Sequence, residues 1–218
     1  MKSKQITLFV VAAAVLILAF VAGKSFYSSS QDQQAAESGG APMALLVRPH
    51  AQTLGPADAP VVIVEFFDPA CETCAAFYPF VKQMMAANSS KIRLVLRYAP
   101  FHRGSDTIVA ALEASRRQGK FWPALEALLA TQPRWAINHT AQMDLAWPFL
   151  EGAGVDMARA RQDMASPEIA QIIAQDLADV RALSVTKTPE FFVNGKPLPV
   201  FGAEQLKSMV DDALRTAR

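Results

Sequence analysis

The chain contains only two cysteines, and they stand three residues apart in the sequence Cys71-Glu72-Thr73-Cys74. They follow the apolar run Val61–Phe67 and precede a segment whose apolar residues recur with a helical period. A thiol at a helix N-terminus meets free N–H groups and the positive end of the helix dipole, and both favour its thiolate. The pattern predicts a dithiol that exchanges disulfides, in which Cys71 attacks and Cys74 resolves the mixed disulfide.

The residue after the first cysteine bears on how oxidising this dithiol is. Glu72 places an anion beside the predicted Cys71 thiolate, and its charge opposes the effect of the helix dipole. We therefore predict a less oxidising pair than one with His or Pro between the cysteines.

Glu65 is the second candidate for chemistry, because it interrupts an otherwise apolar strand six residues before Cys71. A carboxyl group is costly to bury in its charged form, and burial raises its pKa. A buried acid near Cys74 could accept the proton that this thiol loses during exchange. The alternative is that Glu65 emerges at a strand end and is solvated.

Other uses of the two cysteines remain open. Two thiols exclude a four-cysteine zinc site, but His102 and His139 could add ligands to the pair. The dithiol alone could bind copper. A passive disulfide is the third alternative, although a bridge between residues three apart closes a very small loop and restrains the unfolded chain little.

Length and composition place limits on the class of protein. The 218 residues are 51% apolar and carry a formal net charge of +1, which suits one folded domain with a sizeable core. The nearly balanced charge gives no basic face, so nucleic acid is not an expected partner.

The N-terminus carries an apolar segment, Ile6 to Gly23, preceded by Lys2 and Lys4. Eighteen helical residues span about 27 Å, close to the hydrocarbon thickness of a bilayer, so residues 1–27 are predicted to be a signal anchor or a cleaved signal peptide. Basic residues before the segment keep the N-terminus cytoplasmic and place the rest of the chain across the membrane. Residues 28–42, rich in Ser, Gln, Ala and Gly, predict a flexible tether, and residues 43–218 the folded domain.

The remaining pattern predicts an α/β domain in which two groups of strands flank a block of helices. The first group is a βαβ unit, and the second is a hairpin with Asn194-Gly195 in its turn. The predicted strands are Leu45–Val47, Val61–Phe67, Ile92–Tyr98, Glu190–Val193 and Lys196–Val200. The predicted helices are 75–87, four between Ser105 and Leu183 (from Ser105 to about 119, 121–129, 140–150, and one that starts at Ser166-Pro167-Glu168), and 203–217.

Two separated motifs resemble a known family. The segments Val-Glu-Phe-Phe-Asp-Pro-Ala-Cys-Glu-Thr-Cys (64–74) and Thr-Pro-Glu-Phe-Phe-Val-Asn-Gly (188–195) are similar to those of the DsbA-like thiol–disulfide oxidoreductases of the thioredoxin superfamily. The resemblance covers the chain from about Leu54 to its end. It implies a thioredoxin-like fold with a helical insertion at about residues 103–184.

The same resemblance assigns roles to individual residues. It implies that Cys71 is the nucleophile, that Cys74 is the resolving thiol and that Glu65 is a buried acid. It also implies that Pro189 is cis and that Thr188 lies against the dithiol, where its backbone would pair with a substrate peptide. With Thr188, we expect Glu72 and Thr73 to line the substrate-binding surface.

These observations predict an extracytoplasmic thiol–disulfide oxidoreductase that acts on exported proteins and needs no bound cofactor. A membrane redox partner, either a quinone-linked oxidase or an electron-supplying reductase, would reset the dithiol, and the protein is expected to be a monomer. The family's strong oxidants carry His inside the motif and Val before the cis-Pro, so Glu72 and Thr188 leave oxidase, isomerase and reductase open. The alternative function is a copper-binding module that uses the two thiolates.

Overall fold

The computed structural model describes residues 40–217. The predicted membrane segment at residues 6–23 and nearly all of the predicted tether lie outside these residues. Within residues 40–217, none of the helices combines the length and the apolar character needed to cross a membrane.

A five-stranded mixed sheet forms the centre of the fold. Its strands are β1 (Gln52–Leu54), β2 (Val61–Phe67), β3 (Ile92–Tyr98), β6 (Glu190–Val193) and β7 (Lys196–Pro197). Their order across the sheet is β1-β3-β2-β6-β7. The central strand β2 pairs in parallel with β3 and antiparallel with β6, whereas β1 and β7 pair antiparallel at the two edges.

Within residues 40–217, eight α-helices surround the sheet. In chain order they are α1 (Met43–Leu46), α2 (Glu72–Ala87), α3 (Ser105–Arg116), α4 (Phe121–Ala130), α5 (Met143–Gly152), α6 (Met157–Met164), α7 (Pro167–Ala182) and α8 (Ala203–Thr216). Since α2 connects the parallel strands β2 and β3, the predicted βαβ unit is confirmed.

Both faces of the central strand are covered, as its continuous apolar sequence predicts. Ile63 and Phe67 belong to the larger apolar cluster, which also contains residues of α2, the helical block and α8. Val64 and Phe66 point to the opposite face and belong to a smaller cluster formed with α1 and α7. Alternation along β2 therefore decides which side chains reach the layer that contains the cysteines.

The thioredoxin-like fold with a helical insertion is confirmed, since α3 to α7 all lie between β3 and β6. Inside the insertion, two elements escaped prediction. Residues 136–141 form a hairpin of two-residue strands, β4 (Ala136–Ile137) and β5 (Thr140–Ala141), where we expected a helix to begin at Thr140. Helix α6 begins at Met157 and is capped by Asp156, whose carboxylate accepts a hydrogen bond from the Arg159 N–H (3.0 Å).

One predicted strand was wrong, and a second was predicted too long. Leu45–Val47 is not the first strand, because Met43–Leu46 forms a single helical turn, and the first strand is Gln52–Leu54. The predicted edge strand Lys196–Val200 stops at Pro197. Proline has no N–H to donate to a neighbouring strand, and two prolines in five residues cannot sustain a ladder.

Local signals at two boundaries were interpreted correctly. Ser166 caps α7, with its hydroxyl accepting a hydrogen bond from the Ile169 N–H (3.4 Å). Asn194 and Gly195 form the predicted hairpin turn with positive φ values of 47° and 84°.

Candidate active site

The dithiol lies at the carboxyl end of the central strand. Strand β2 ends at Phe67, and four residues later Cys71 is the N-cap of α2, with extended backbone angles of −80° and 119°. Cys74 is one turn into the helix. Cys71 retains 6% exposure and Cys74 retains 1%, so Cys71 is the more accessible of the two free thiols.

A cis peptide bond between Thr188 and Pro189 faces the dithiol. The Cys71 sulfur lies 3.3 Å from the Thr188 carbonyl oxygen, to which its protonated form donates a hydrogen bond. Pro189 leads directly into β6, where Glu190 is paired with Phe66 of β2. The sheet register thereby holds the cis-proline loop and the dithiol at the same end of neighbouring strands.

The environment of Cys71 stabilises its thiolate. A hydrogen bond from the Cys74 thiol is the largest cause, and together with the Thr188 side chain and the backbone N–H groups of Thr73 and Cys74 it lowers the pKa of Cys71 to about 5. Partial burial acts in the opposite direction and is outweighed. Cys71 is therefore ionised at neutral pH, as a nucleophilic thiol must be.

Cys74 has the opposite character. Burial raises the pKa of the Cys74 thiol well above its usual value, and its hydrogen bond to Cys71 and the charges of Glu65 and Cys71 raise it further. The two thiols differ by position: the one at the helix end is an anion, and the one inside the helix keeps its proton.

Glu65 is buried, with 2% exposure, so the alternative of a solvated residue at a strand end is wrong. Burial, followed by the charge of Cys71, raises the pKa of Glu65 to about 8. Its Oε2 has no hydrogen-bond partner among the residues that the structure describes. Alternation along β2 puts Glu65 on the same face as Ile63 and Phe67, whose cluster contains both cysteines.

The other two residues of the motif are at the surface. Glu72 and Thr73 are both exposed in the first turn of α2. Glu72 Oε1 lies 3.4 Å from His139 Nδ1, so the hairpin β4–β5 reaches the edge of the dithiol.

A buried carboxylate that the sequence interpretation missed supports the turn before Cys71. Asp68 has no exposure, and its Oδ1 accepts hydrogen bonds from the Ala70 N–H (2.8 Å) and the Ser105 hydroxyl. Its Oδ2 accepts one from the backbone N–H of His102 and lies 2.8 Å from His102 Nδ1. The position of Asp68, directly after a buried strand, is a signal that could have found it.

Gln132 was also missed. It lies between α4 and β4, is buried, and its Nε2 donates to the carbonyl oxygens of Pro69 (2.7 Å) and Cys71 (2.9 Å). It fixes the loop that presents the nucleophile. No local sequence pattern marks it, because its partners are about sixty residues away.

A dithiol at a helix N-terminus, opposed by a cis-proline loop on a central mixed sheet, defines the class of thioredoxin-fold thiol–disulfide oxidoreductases. A family model described as thioredoxin matches residues 48–212. The chain therefore belongs to the thioredoxin family, and it shares its fold with DsbA proteins of the same superfamily.

Solved structures agree with this assignment. A thioredoxin-like oxidoreductase from Silicibacter pomeroyi DSS-3 is 31% identical, with a TM-score of 0.68 over 79% of this chain and 96% of that one. Two others share the fold: α-DsbA1 from Wolbachia pipientis (17% identity, TM-score 0.69, 80% and 96% coverage) and a periplasmic thioredoxin-like protein from Salmonella enterica serovar Typhimurium (18%, 0.65, 79% and 95%).

Similar sequences also occur within much longer proteins. The chain is 31% identical over 144 residues to the Na(+)/H(+) antiporter NhaA of Herminiimonas arsenicoxydans and 33% identical over 172 residues to NhaA 3 of Salinispora tropica. These matches cover 66% and 75% of this chain but span only 22% and 25% of the length of those relatives.

Proposed function

We propose that the protein exchanges disulfides with exported proteins on the extracytoplasmic side of a membrane, using Cys71 and Cys74 as its redox pair. The observation that carries the proposal is the geometry at Cys71, the less buried of the two thiols, which lies at a helix N-terminus 3.3 Å from the Thr188 carbonyl oxygen. This arrangement combines a stabilised thiolate with a peptide backbone that is free of helix and sheet at Thr188.

In the reducing direction, the Cys71 thiolate attacks one sulfur of a substrate disulfide. A mixed disulfide forms at Cys71, and the other substrate sulfur leaves as a thiolate. Cys74 then loses its proton and attacks the Cys71 sulfur, which forms the Cys71–Cys74 disulfide and releases the second substrate thiolate. Two electrons pass from the dithiol to the substrate. The same steps in reverse oxidise a substrate dithiol.

Glu65 is proposed to accept the proton of Cys74 in the resolving step. Cys74 is buried with a raised pKa, so it needs a nearby base, and the charge of Glu65 acts on it. A carboxyl with a pKa of about 8 can hold this proton and release it near neutral pH. Its unpartnered Oε2 provides a free lone pair for the transfer.

Substrate peptides are proposed to bind along the cis-proline loop. Thr188 precedes β6, and an extended peptide laid beside it would pair with its backbone in the manner of an added strand. The Thr188 carbonyl oxygen lies 3.3 Å from the Cys71 sulfur, so this backbone is directly beside the nucleophile. Glu72 and Thr73, exposed on the other side of the nucleophile, would contact the residues that flank the substrate cysteine.

The location is proposed from two observations of different kinds. The apolar segment at residues 6–23 has the length and the flanking charges of an export signal or anchor. One structural neighbour is a periplasmic thioredoxin-like protein. Compartments outside the cytoplasm are where protein disulfides persist, and a membrane redox partner would there return the dithiol to its starting state.

Disulfide exchange with a peptide substrate tests the function. Cys71→Ser should abolish exchange, whereas Cys74→Ser should still react and accumulate the mixed disulfide at Cys71, visible by mass spectrometry. Persistence of exchange in Cys71→Ser would refute the proposal. Strong copper binding by the wild type with no exchange activity would favour the copper module instead.

The direction of electron flow follows from the reduction potential of the pair, measured against glutathione or dithiothreitol. A value near about −120 mV indicates an oxidant, and one near about −270 mV indicates a reductant.

A further inference from the structure

We propose that the protein binds a divalent transition-metal ion of the zinc class beside the dithiol, through the side chains of Glu72, His102 and His139. Each of the three offers one ligand atom, and the three atoms all lie within 4.8 Å of one another. None of these side chains transfers an electron or a proton in disulfide exchange as described above. The site is therefore an additional property and does not depend on that function.

Three different elements contribute the ligands. Glu72 is in the first turn of α2, His102 follows β3, and His139 is at the turn of the β4–β5 hairpin, where its φ is 55°. Residues far apart in the chain thus converge at one point on the surface.

Backbone contacts keep the two histidines together. The Ala141 N–H donates to the Arg103 carbonyl oxygen at 2.9 Å, and Arg103 forms a parallel bridge with Thr140. Gly104 permits this approach, because its φ is 77° and a Cβ there would lie 2.6 Å from the Ala141 oxygen. The neighbours of both histidines are therefore joined, and the imidazole rings stack with centroids 5.8 Å apart.

His102 is oriented as metal-binding histidines usually are. Its Nδ1 lies 2.8 Å from Oδ2 of Asp68, which leaves Nε2 available to a ligand. Asp68 has no exposure and is itself held by Ser105 and the Ala70 N–H. A carboxylate that holds one imidazole nitrogen while the other binds a metal is a recurrent arrangement around zinc.

The spacing of the other two ligands also suits a small ion. His139 Nδ1 and Glu72 Oε1 are 3.4 Å apart, and in a tetrahedral site with bonds of ~2.0–2.1 Å two ligand atoms are separated by about 3.4 Å. Both side chains are more than half exposed, so they can rotate toward His102 without moving the core.

The ligand set determines the class of ion. Two imidazoles and one carboxylate suit zinc and its neighbours in the transition series, whereas magnesium and calcium prefer oxygen ligands only. Three protein ligands leave a fourth position for water or another donor, as in zinc sites of the two-histidine, one-glutamate type.

Zinc titration of the full-length Cys71→Ser/Cys74→Ser protein tests the proposal by isothermal calorimetry, because this double variant lacks thiols that would bind zinc independently. We expect one ion per chain. Adding Glu72→Gln or His139→Gln to this background should each weaken zinc affinity about tenfold or more. His102→Gln should do the same, and the two exposed positions decide the result if that variant does not fold.

Two matched substitutions control for nonspecific effects. His50 is the only other histidine of the chain, and its Nε2 lies 2.6 Å from Oδ1 of Asp176. Glu204 is, like Glu72, an exposed glutamate in the first turn of a helix. His50→Gln and Glu204→Gln should leave zinc affinity unchanged. The absence of saturable binding, or an equal loss in the controls and the site variants, would overturn the proposal.

Discussion

Buried ionisable side chains lie on both faces of the central sheet. Among the described residues, those on one face are paired with one another, whereas Glu65 on the other face is not. On one face, Arg97 of β3 has no exposure, and its guanidinium donates to Asp176 (2.7 Å), Asp179 (2.7 Å) and the Leu45 carbonyl oxygen (2.6 Å). On the other face, Glu65 is equally buried, and its Oε2 has no partner within residues 40–217.

The difference separates a structural use of charge from a chemical one. Although burial opposes it, hydrogen bonds from Arg48 and Arg97 hold the pKa of Asp179 below its usual value, so its charge is fixed. Burial without a partner raises the pKa of Glu65 to about 8, so its charge can change near neutral pH. A paired buried carboxylate stabilises the fold in one state, and an unpaired one is able to exchange a proton.

The largest expected effect is the loss of the paired set. Arg97→Leu removes the buried cation that joins Asp176 and Asp179, and Asp179 then depends on the partly exposed Arg48. Breaking such a buried pair costs about 3–5 kcal/mol of unfolding free energy. Urea denaturation measures this loss. Arg93→Leu is the control, because Arg93 lies on the same strand and, among the described residues, its guanidinium makes a single long hydrogen bond, to the Ala57 carbonyl oxygen (3.4 Å). Equal losses in the two variants would contradict the assigned role of Arg97.

Removing the charge of Glu65 should affect the rate of exchange more than the stability of the fold. Glu65→Gln should slow resolution of the mixed disulfide about 10²-fold, the lower end of what a positioned base contributes. The unfolding free energy should not fall at neutral pH, because no ion pair is lost. Rapid-quench analysis of the mixed disulfide measures the step, and an unchanged rate would remove Glu65 from the mechanism.

The same substitution should change the pH dependence of stability. The pKa of Glu65 is raised in the folded protein, so its contribution is fully present below the unfolded value of about 4.5 and is lost as pH rises to about 8. Folded molecules hold this proton longer than unfolded ones do, and stability therefore falls across that interval. In Glu65→Gln this part of the slope should be absent from urea unfolding curves measured between these pH values.

At the dithiol, the reactivity of Cys71 should follow its lowered pKa. Alkylation of reduced protein should rise through pH about 5 and then level off, where an ordinary thiol would rise near 9. Because the hydrogen bond from Cys74 is the largest cause, Cys74→Ala should move the midpoint upward more than Cys74→Ser, which keeps a donor. Identical midpoints in the two variants would show that this hydrogen bond does not stabilise the thiolate.

The smallest effect is expected at Glu72, where the charge is exposed. Removing an anion beside the thiolate in Glu72→Gln should lower the pKa of Cys71 by ~0.2–0.7, which corresponds to about 0.3–1 kcal/mol near a helix end. A more stable thiolate favours the reduced protein, so the reduction potential should become slightly more oxidising. A shift in the opposite direction would contradict the predicted influence of Glu72.

The structural features that the sequence could predict are those encoded within a few neighbouring residues. The run Val61–Phe67 is apolar except for Glu65, and this pattern indicated a buried strand that carries a buried acid. The Ser166-Pro167 start and the Asn194-Gly195 turn were equally local. By contrast, the triplet Leu45–Val47 suits a strand or a helix equally well, and its helical turn is one of the elements that cover the Arg97 face.

The parts that could not be predicted depend on distant partners. Arg97 meets two aspartates about eighty residues away, and Gln132 reaches the Cys71 loop from beyond α4. His139 approaches Glu72 only because a hairpin of two-residue strands, too short for any periodic signal, folds back onto the loop after β3. The three-ligand cluster therefore exists in the folded chain and has no counterpart in sequence spacing.

The side chain of Asn194 fixes the distance along the chain between the hairpin turn and the cis-proline loop. Its Oδ1 accepts a hydrogen bond from the Val62 N–H (2.7 Å), and its Nδ2 donates to the Pro60 carbonyl oxygen (3.2 Å), which fastens the hairpin turn to the start of β2. Asn194 is six positions after Thr188, a span of about 20 Å in extended chain. Inserting or deleting one residue within that span would move Thr188 away from Cys71, so the fastened turn fixes the length that this segment must have.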